Sequence, residues 1–201
     1  MEITQLTADQ IPQAAATLGR AFHDDPLQQY ILPDEDERRT LGAPLFERVV
    51  RYAQANSRVL TTPGVEGVAL WTPPRTPPMS DEAAVAAGFG DLPGIIGEDA
   101  VKRFADFFAA IEPYHHRDAS DDHWYLAVLG VDPSHQERGI GHALIQPILA
   151  EADAAGVACY LETAQPTNVG FYVTQGFEVL VDAVEPVSGV RFWTFRRHAP
   201  A

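Results

Sequence analysis

One stretch limits the fold more than any other. The apolar run Leu126 to Val131 leads into Asp132-Pro133-Ser134-His135-Gln136-Glu137-Arg138-Gly139-Ile140-Gly141-His142-Ala143, and an apolar helical pattern then carries on to Ala155. A short continuous apolar run bounded by a turn suits a strand buried on both faces. Asp132-Pro133 ends it, and two glycines open the helix that follows. Ala158–Thr163 reads as a second strand directly after that helix. Strand, helix and strand in succession place a helix across a sheet, so the fold class is α/β or α+β.

The rest of the chain extends this pattern. Thr7-x-x-Gln10 fits a capping box, and Ile11, Ala15, Leu18 and Phe22 then recur at helical spacing. His23-Asp24-Asp25-Pro26 breaks that helix. Asp34 and Glu37 mark a second start, with Leu41, Leu45, Val49 and Ala53 as its apolar stripe. Val59–Thr62 and Gly67–Trp71 read as strands, and the prolines between Thr72 and Ser80 as a stiff connector. Residues 81–112 read as mostly helical with a break near Gly88–Gly94. Beyond the central unit, Asn168–Gln175 reads as a short helix, and Phe177–Val181 and Arg191–Arg196 as a final strand pair.

Composition narrows the function. At 201 residues, 46% hydrophobic and 21% charged, the chain suits one globular domain spanning 1–201. Twenty-eight acidic against 14 basic residues give a net charge of −14. Nucleic acid and anionic membranes would be repelled, whereas a cationic substrate would be attracted. Cys159 is the single cysteine, so no internal disulfide framework is possible. The start Met1-Glu2-Ile3-Thr4 has neither a basic nor an apolar segment, and no apolar run approaches the ~18–20 residues needed to span a bilayer. The expected location is cytoplasmic.

The glycine turn is the chemical signal. Bare N–H groups at a helix N-terminus, with glycines that admit close approach, favour a phosphate or pyrophosphate. A dinucleotide fingerprint would want a third glycine where Leu144 stands, and a Walker loop would want Gly-Lys-Ser/Thr, which the chain lacks. What remains is Gln-x-x-Gly-x-Gly-x-Ala, formed by Gln136, Gly139, Gly141 and Ala143. On its own this is equally the sequence of an ordinary glycine-rich turn capping a helix. Downstream stand Leu161-Glu162-Thr163 and Asn168-Val169-Gly170-Phe171-Tyr172-Val173-Thr174-Gln175-Gly176-Phe177.

With these segments in this order, the chain resembles the GNAT superfamily of N-acetyltransferases, specifically over about residues 123–197 and loosely before that. Within it the chain is most similar to the puromycin N-acetyltransferase family, through Trp71, Trp124-Tyr125-Leu126-Ala127, Gly130-Val131, Leu161-Glu162-Thr163, Phe171-Tyr172 and Gly176-Phe177. Many superfamily members carry Asn seven residues before the tyrosine; here that position is Gln165, and Asn168 lies four before.

The resemblance implies a mixed, mostly antiparallel central sheet, splayed at the acyl-CoA strand, with helices on both faces. Residues 1–122 would form the acceptor-side half and 123–197 the acyl-CoA half. It implies acetyl-CoA as co-substrate and no metal. Leu129, Gly130 and Val131 would bind the pantetheine arm and polarise the thioester carbonyl. Gln136, Arg138, Gly139, Ile140, Gly141, His142 and Ala143 would hold the pyrophosphate, with Asn168 and Tyr172 completing the cofactor site. Tyr172 would be the general acid toward the departing thiolate, and Glu162 would take the amine proton. Each has a plainer alternative: an aromatic packed under a short helix, and a strand carboxylate facing solvent or capping a turn.

The implied activity is N-acetylation of a primary amine of a small molecule by direct transfer in a ternary complex. The rival is a non-catalytic CoA-binding or sensor domain of the same fold. Partners would be the amine and, at most, a second copy in a homodimer. His23, Asp24 and Asp25 lie where an acceptor pocket is expected, although a solvated helix end is the simpler reading. His115, His116 and His123 lack metal-ligand spacing and read as surface or strand-end residues. Cys159 reads as a buried thiol with no activating base in the pattern.

Overall fold

In the computed structural model, which describes residues 1–119 and 122–199, runs of helices are interspersed with strands along the chain. In order they are β1 (Thr4–Gln5), α1 (Ile11–Ala21), α2 (Pro26–Ile31), α3 (Glu35–Asn56), β2 (Arg58–Thr61) and β3 (Gly67–Thr72). Then come α4 (Asp81–Ala87), α5 (Leu92–Ile96), α6 (Glu98–Asp118), β4 (His123–Val131), α7 (Ile140–Ala155), β5 (Ala158–Thr163), α8 (Asn168–Thr174), β6 (Glu178–Val184) and β7 (Arg191–Arg197).

Local chemistry explains most boundaries. The Thr7 N–H donates to Gln10 Oε1 at 3.0 Å ahead of α1, whose Ile11, Ala15 and Leu18 are buried as their spacing predicts. Asp34 Oδ1 accepts from the Glu37 N–H at 2.9 Å and starts α3. The segment after Asp25 differs from its sequence reading. Asp-Pro both stops α1 and starts α2, because Asp25 Oδ1 accepts from the Leu27 N–H at 2.9 Å and proline suits a first helical position. Likewise α6 continues through Pro113 to Asp118 instead of ending near residue 112. Packing holds its last turns, with Ile111 buried and the Tyr114 ring 5.4 Å from Phe192.

The seven strands form one sheet in the order β1-β2-β3-β4-β5-β7-β6. Among the described residues only β4 and β5 pair in parallel; every other neighbouring pair is antiparallel. Against one face α7 sets Leu144, Ile145, Ile148 and Ala152 on Trp71, Trp124, Leu126, Leu161 and Phe195. Against the other, α1 and α3 cover Val59, Val68 and Leu70 with Leu18, Phe46 and Val50, while Phe107 and Ile111 of α6 meet Phe192 of β7. Among the described residues no helix is long and apolar enough to cross a membrane.

The parallel pair is short, and this makes the site. β4 and β5 are in register from His123↔Ala158 to Leu126↔Leu161 and then part. Beyond that point β4 stays with β3, β5 stays with β7, and a wedge opens between them. The parting coincides with a register shift opposite Leu70 and Trp71, which leaves Ala127 as the extra residue. A bulge of this kind bends its strand away from its neighbour. The splay therefore starts at Ala127, two residues ahead of the segment singled out from sequence, and Leu129, Gly130 and Val131 form its free edge.

Candidate active site

Alternation along β4 decides which peptide groups face the wedge. The Asp132 N–H donates to Glu66 O at 2.8 Å, so even-numbered positions turn toward β3. Leu129 and Val131 then turn theirs to the open edge, and the Gln136 side-chain amide does reach the Val131 carbonyl there, at 3.1 Å. Gly130 serves a different end: a Cβ at this position would lie 2.6 Å from Leu18 Cδ2 and 2.9 Å from Phe22 Cε2, so any side chain here would have to displace the Leu18 and Phe22 side chains that pack on the strand.

The turn after β4 is held by Asp132. Its Oδ1 accepts from the Ser134 N–H at 2.9 Å and hydroxyl at 2.6 Å, and its Oδ2 accepts from Arg20 Nε at 2.7 Å. Burial raises this carboxyl, but the Ser134 hydrogen bonds and the Arg20 guanidinium outweigh it and hold the pKa at about 2. Glu137 and Gly139 adopt positive φ of 61° and 77°, a curled backbone whose N–H groups can converge on an anion. The first helical bond of α7 runs from the Ala143 N–H to Gly139 O at 3.0 Å. The N–H groups of Ile140, Gly141 and His142 are thus left without partners inside the helix.

Two cavities meet in the wedge. A groove of about 690 Å³ is lined by Leu129, Gly130, Val131, Gln136, Glu137, Gly139, Ile140, Gly141 and His142, with Gln165 and Asn168 across from them. Arg138 and Ala143 are not in this lining. The Arg138 guanidinium turns back to the Ser134 carbonyl at 3.0 Å, and the Ala143 N–H is committed to the helix. On the other side of β4 lies a chamber of about 230 Å³, walled by Phe22, Phe46, Phe104, Phe107, Phe108 and Phe192 with Tyr125, Glu162 and Thr163. Phe22, Asp25, Leu129, Asn168 and Tyr172 border both spaces.

Tyr172 and Asp25 face each other at that junction. Tyr172 is 5% exposed and packs on Phe171, Phe177 and Phe195 with ring centroids 5.2, 6.0 and 5.5 Å away. Burial, and then the Asp25 charge, push its phenol far above the usual tyrosine range, so it is protonated at neutral pH. Asp25 is buried rather than part of a solvated helix end, and desolvation raises its carboxyl despite hydrogen bonds from the Leu27 and Gln28 N–H groups. Its neighbour Asp24 is the exposed one, with 86% of its side chain in solvent. His23 lines neither space.

Glu162 sits on β5 with its side chain 10% exposed, at the chamber wall. Behind it lies His115, whose Nδ1 is 3.4 Å from Glu162 Oε1 and whose Nε2 is 2.8 Å from His123 Nε2. Sequence reading placed these histidines at the surface or at a strand end, and His123 is indeed the first residue of β4. Ending the helical segment at residue 112 hid the fact that α6 carries His115 over the sheet. His116 is exposed as expected, beside Glu112. Cys159 is buried and its thiol is pushed up to about 12 by desolvation, so it is not a nucleophile at neutral pH. Among the described residues no group of three or more His, Cys, Asp or Glu side chains could hold a metal ion.

The Acetyltransferase (GNAT) family matches residues 105–177, which span α6 through α8 and hence the wedge, the turn and Tyr172. An uncharacterised N-acetyltransferase of Schizosaccharomyces pombe is 30% identical over 183 residues, covering 88% of this chain and 74% of the yeast protein. The chain belongs to the GNAT acetyltransferases. As a member of this family it is an enzyme of the acyl-CoA-dependent class, and GNAT acetyltransferases use acetyl-CoA as co-substrate. The fold agrees across the whole chain. The crystal structure of histone acetyltransferase HPA2 and related acetyltransferase from Corynebacterium glutamicum has a TM-score of 0.68 at 22% identity, covering 99% of this chain and 96% of that one. Arylalkylamine N-acetyltransferase 2 from Aedes aegypti likewise gives 0.68 at 15% identity, with 99% of both chains covered.

Proposed function

We propose that this GNAT enzyme moves an acetyl group from acetyl-CoA to the primary amine of a small molecule with an apolar or aromatic body, in a ternary complex. The observation that carries the reading is the meeting of two unlike cavities at Tyr172 and Asp25. A groove with free helix N-terminal N–H groups suits the pyrophosphate, and an aromatic chamber with carboxylates at its wall suits an organic ammonium. In this reading the whole of 1–201 is one cytoplasmic catalytic domain. The likeness to the puromycin N-acetyltransferases stays an expectation about descent, and the acceptor is argued from the chamber instead.

Roles follow from position. The Ile140, Gly141 and His142 N–H groups hold the pyrophosphate, with Gln136, Arg138, Gly139 and Ala143 shaping the turn around it. The pantetheine arm runs along Leu129–Val131, and the outward Leu129 or Val131 N–H donates to the thioester oxygen as it gains charge; one such donor contributes ~3–4 kcal/mol to catalysis. Asn168 borders the arm where groove and chamber join. Asp25 draws the ammonium toward the junction, Glu162 takes its proton, and the Tyr172 hydroxyl donates to the departing thiolate.

The test pairs calorimetry with thiol release. Acetyl-CoA should bind with micromolar affinity, and free thiol should appear with phenylalkyl or long alkyl amines and far less with small polar amines. Binding without thiol release from any amine would favour the CoA-sensor alternative; release fastest with compact polar amines would remove the apolar-acceptor assignment.

A further inference from the structure

We propose that His115 and His123 form a proton path that carries the proton taken by Glu162 out of the acceptor chamber to the protein surface. The inference rests on the acetyl-transfer reading above. Acetylation of an ammonium by a thioester yields an amide, a thiol and one proton. Nitrogen loses two protons, of which one finishes on the CoA sulfur and the other must reach solvent. An apolar amine that fills the chamber closes the direct way out, because Glu162 is only 10% exposed and belongs to the chamber wall.

His115 lies behind that wall. It does not line the chamber, yet its Nδ1 is 3.4 Å from Glu162 Oε1, and its Nε2 meets His123 Nε2 at 2.8 Å. Its side chain is 23% exposed, and His123 stands at the first position of β4, at the end of the strand away from the wedge. The ring is fixed by stacking on Tyr160, with centroids 4.4 Å apart and planes at 32°, and against Tyr125 at 4.7 Å. Burial raises both phenols, and the Glu162 charge adds to it, so neither competes for the proton at neutral pH.

Imidazole suits the task because it accepts at one nitrogen while donating from the other. A proton enters from Glu162 at His115 Nδ1, one leaves His115 Nε2 for His123 Nε2, and His123 gives one up from its other ring nitrogen toward the protein surface. Glu162 returns to carboxylate, and each ring returns to neutral with its tautomer exchanged. No oxidant, metal or further reactant is involved. His115 is a positioning and relay residue here, since it touches neither acetyl-CoA nor the amine.

The experiment uses the whole enzyme with its best amine and the variants His115→Phe, His115→Ala and, as a control, His116→Gln. His115→Phe keeps an aromatic ring between Tyr125 and Tyr160 but cannot move a proton. Expected are a fall in kcat of about 10- to 100-fold, smaller than the ~10²–10⁴-fold for losing the acid or base itself because His115 acts through Glu162, with KM values and acetyl-CoA affinity unchanged, and no effect of His116→Gln. Millimolar imidazole should restore His115→Ala, whereas pyrrole, of the same shape without a basic nitrogen, should not. Wild-type kcat in His115→Phe, or equal rescue by pyrrole and imidazole, would show that His115 only packs and would overturn the path. A wild-type enzyme that binds acetyl-CoA but acetylates no amine would overturn the transfer reading beneath it as well.

Discussion

Gly141→Asp separates the pyrophosphate reading from any merely structural use of the glycine turn. At this position a Cβ meets nothing closer than Phe171 Cζ at 3.7 Å, and φ is not in the left-handed region, so the fold accepts a side chain. Gly139 is a poorer probe because its φ of 77° would itself strain any replacement. An aspartate at 141 falls in the first turn of α7, where a negative charge stabilises a helix by ~0.3–1 kcal/mol. Stability should therefore hold or rise while binding falls. For a carboxylate about 6 Å from two phosphate charges at an effective dielectric constant of about 40, Coulomb's law gives ~3 kcal/mol, and screening at physiological salt reduces this to ~1 kcal/mol. Calorimetric titration with acetyl-CoA should then show affinity weakened about 100-fold at low salt and about 10-fold at 0.15 M. Gly141→Ala should bind within about threefold of wild type. Equal loss in both variants, or a loss indifferent to salt, would refute the electrostatic account of the turn.

Other expectations follow from the junction and the turn. Tyr172→Phe keeps the packing on Phe171, Phe177 and Phe195 and should lower kcat by about 100-fold or more, leaving acetyl-CoA affinity nearly intact; steady-state kinetics with calorimetry checks both. Asp25→Asn keeps an acceptor for the Leu27 N–H but loses the charge, so the amine KM should rise about 10- to 100-fold. Because folding raises the Asp25 pKa, the buried charge opposes folding at neutral pH and ceases to do so once acid protonates it. The variant should thus melt higher than wild type at pH 7, with the gap closing as pH falls toward 4, and a lower Tm at pH 7 would contradict this. Asp132 has the opposite sign. Holding its pKa at about 2 instead of 3.8 is worth about 2 kcal/mol, present above pH 3.8 and lost as pH falls through 2, so Asp132→Asn should cost that much at pH 7 and almost nothing at pH 2 by denaturant unfolding.

Legibility from sequence tracked how local each signal was. The strand, turn and helix from Trp124 to Ala155 were readable because apolar periodicity and glycine placement act over a few residues, and one wall of the cofactor groove, from Leu129 to His142, is built from that stretch. The acceptor side was not. Its walls come from the turn after α1 and from α2, α3, α6, β4, β5, α8 and β7, so no spacing in the chain announces that Phe22, Phe107 and Phe192 enclose one space. Sequence left Asp25 open between an acceptor pocket and a solvated helix end, because an Asp-Pro pair both stops one helix and caps the next, and only packing shows which carboxylate is buried. His115 was missed for a related reason. A proline inside a helix costs local stability, but contacts such as Tyr114 on Phe192 carried α6 past Pro113 and brought the ring to Glu162. Periodicity also could not place the bulge at Ala127, which depends on how β3 and β5 pull on β4.

The most direct test of the account is mass spectrometry of the reaction of the intact enzyme with acetyl-CoA, with and without an apolar primary amine. Direct transfer at the junction of the two cavities predicts acetylated amine and free CoA in equal amounts when both substrates are present. It also predicts an unmodified protein mass when acetyl-CoA is supplied alone, in keeping with a Cys159 thiol buried and held protonated. A stoichiometric gain of one acetyl group on the protein before amine is added, discharged when amine follows, would contradict it.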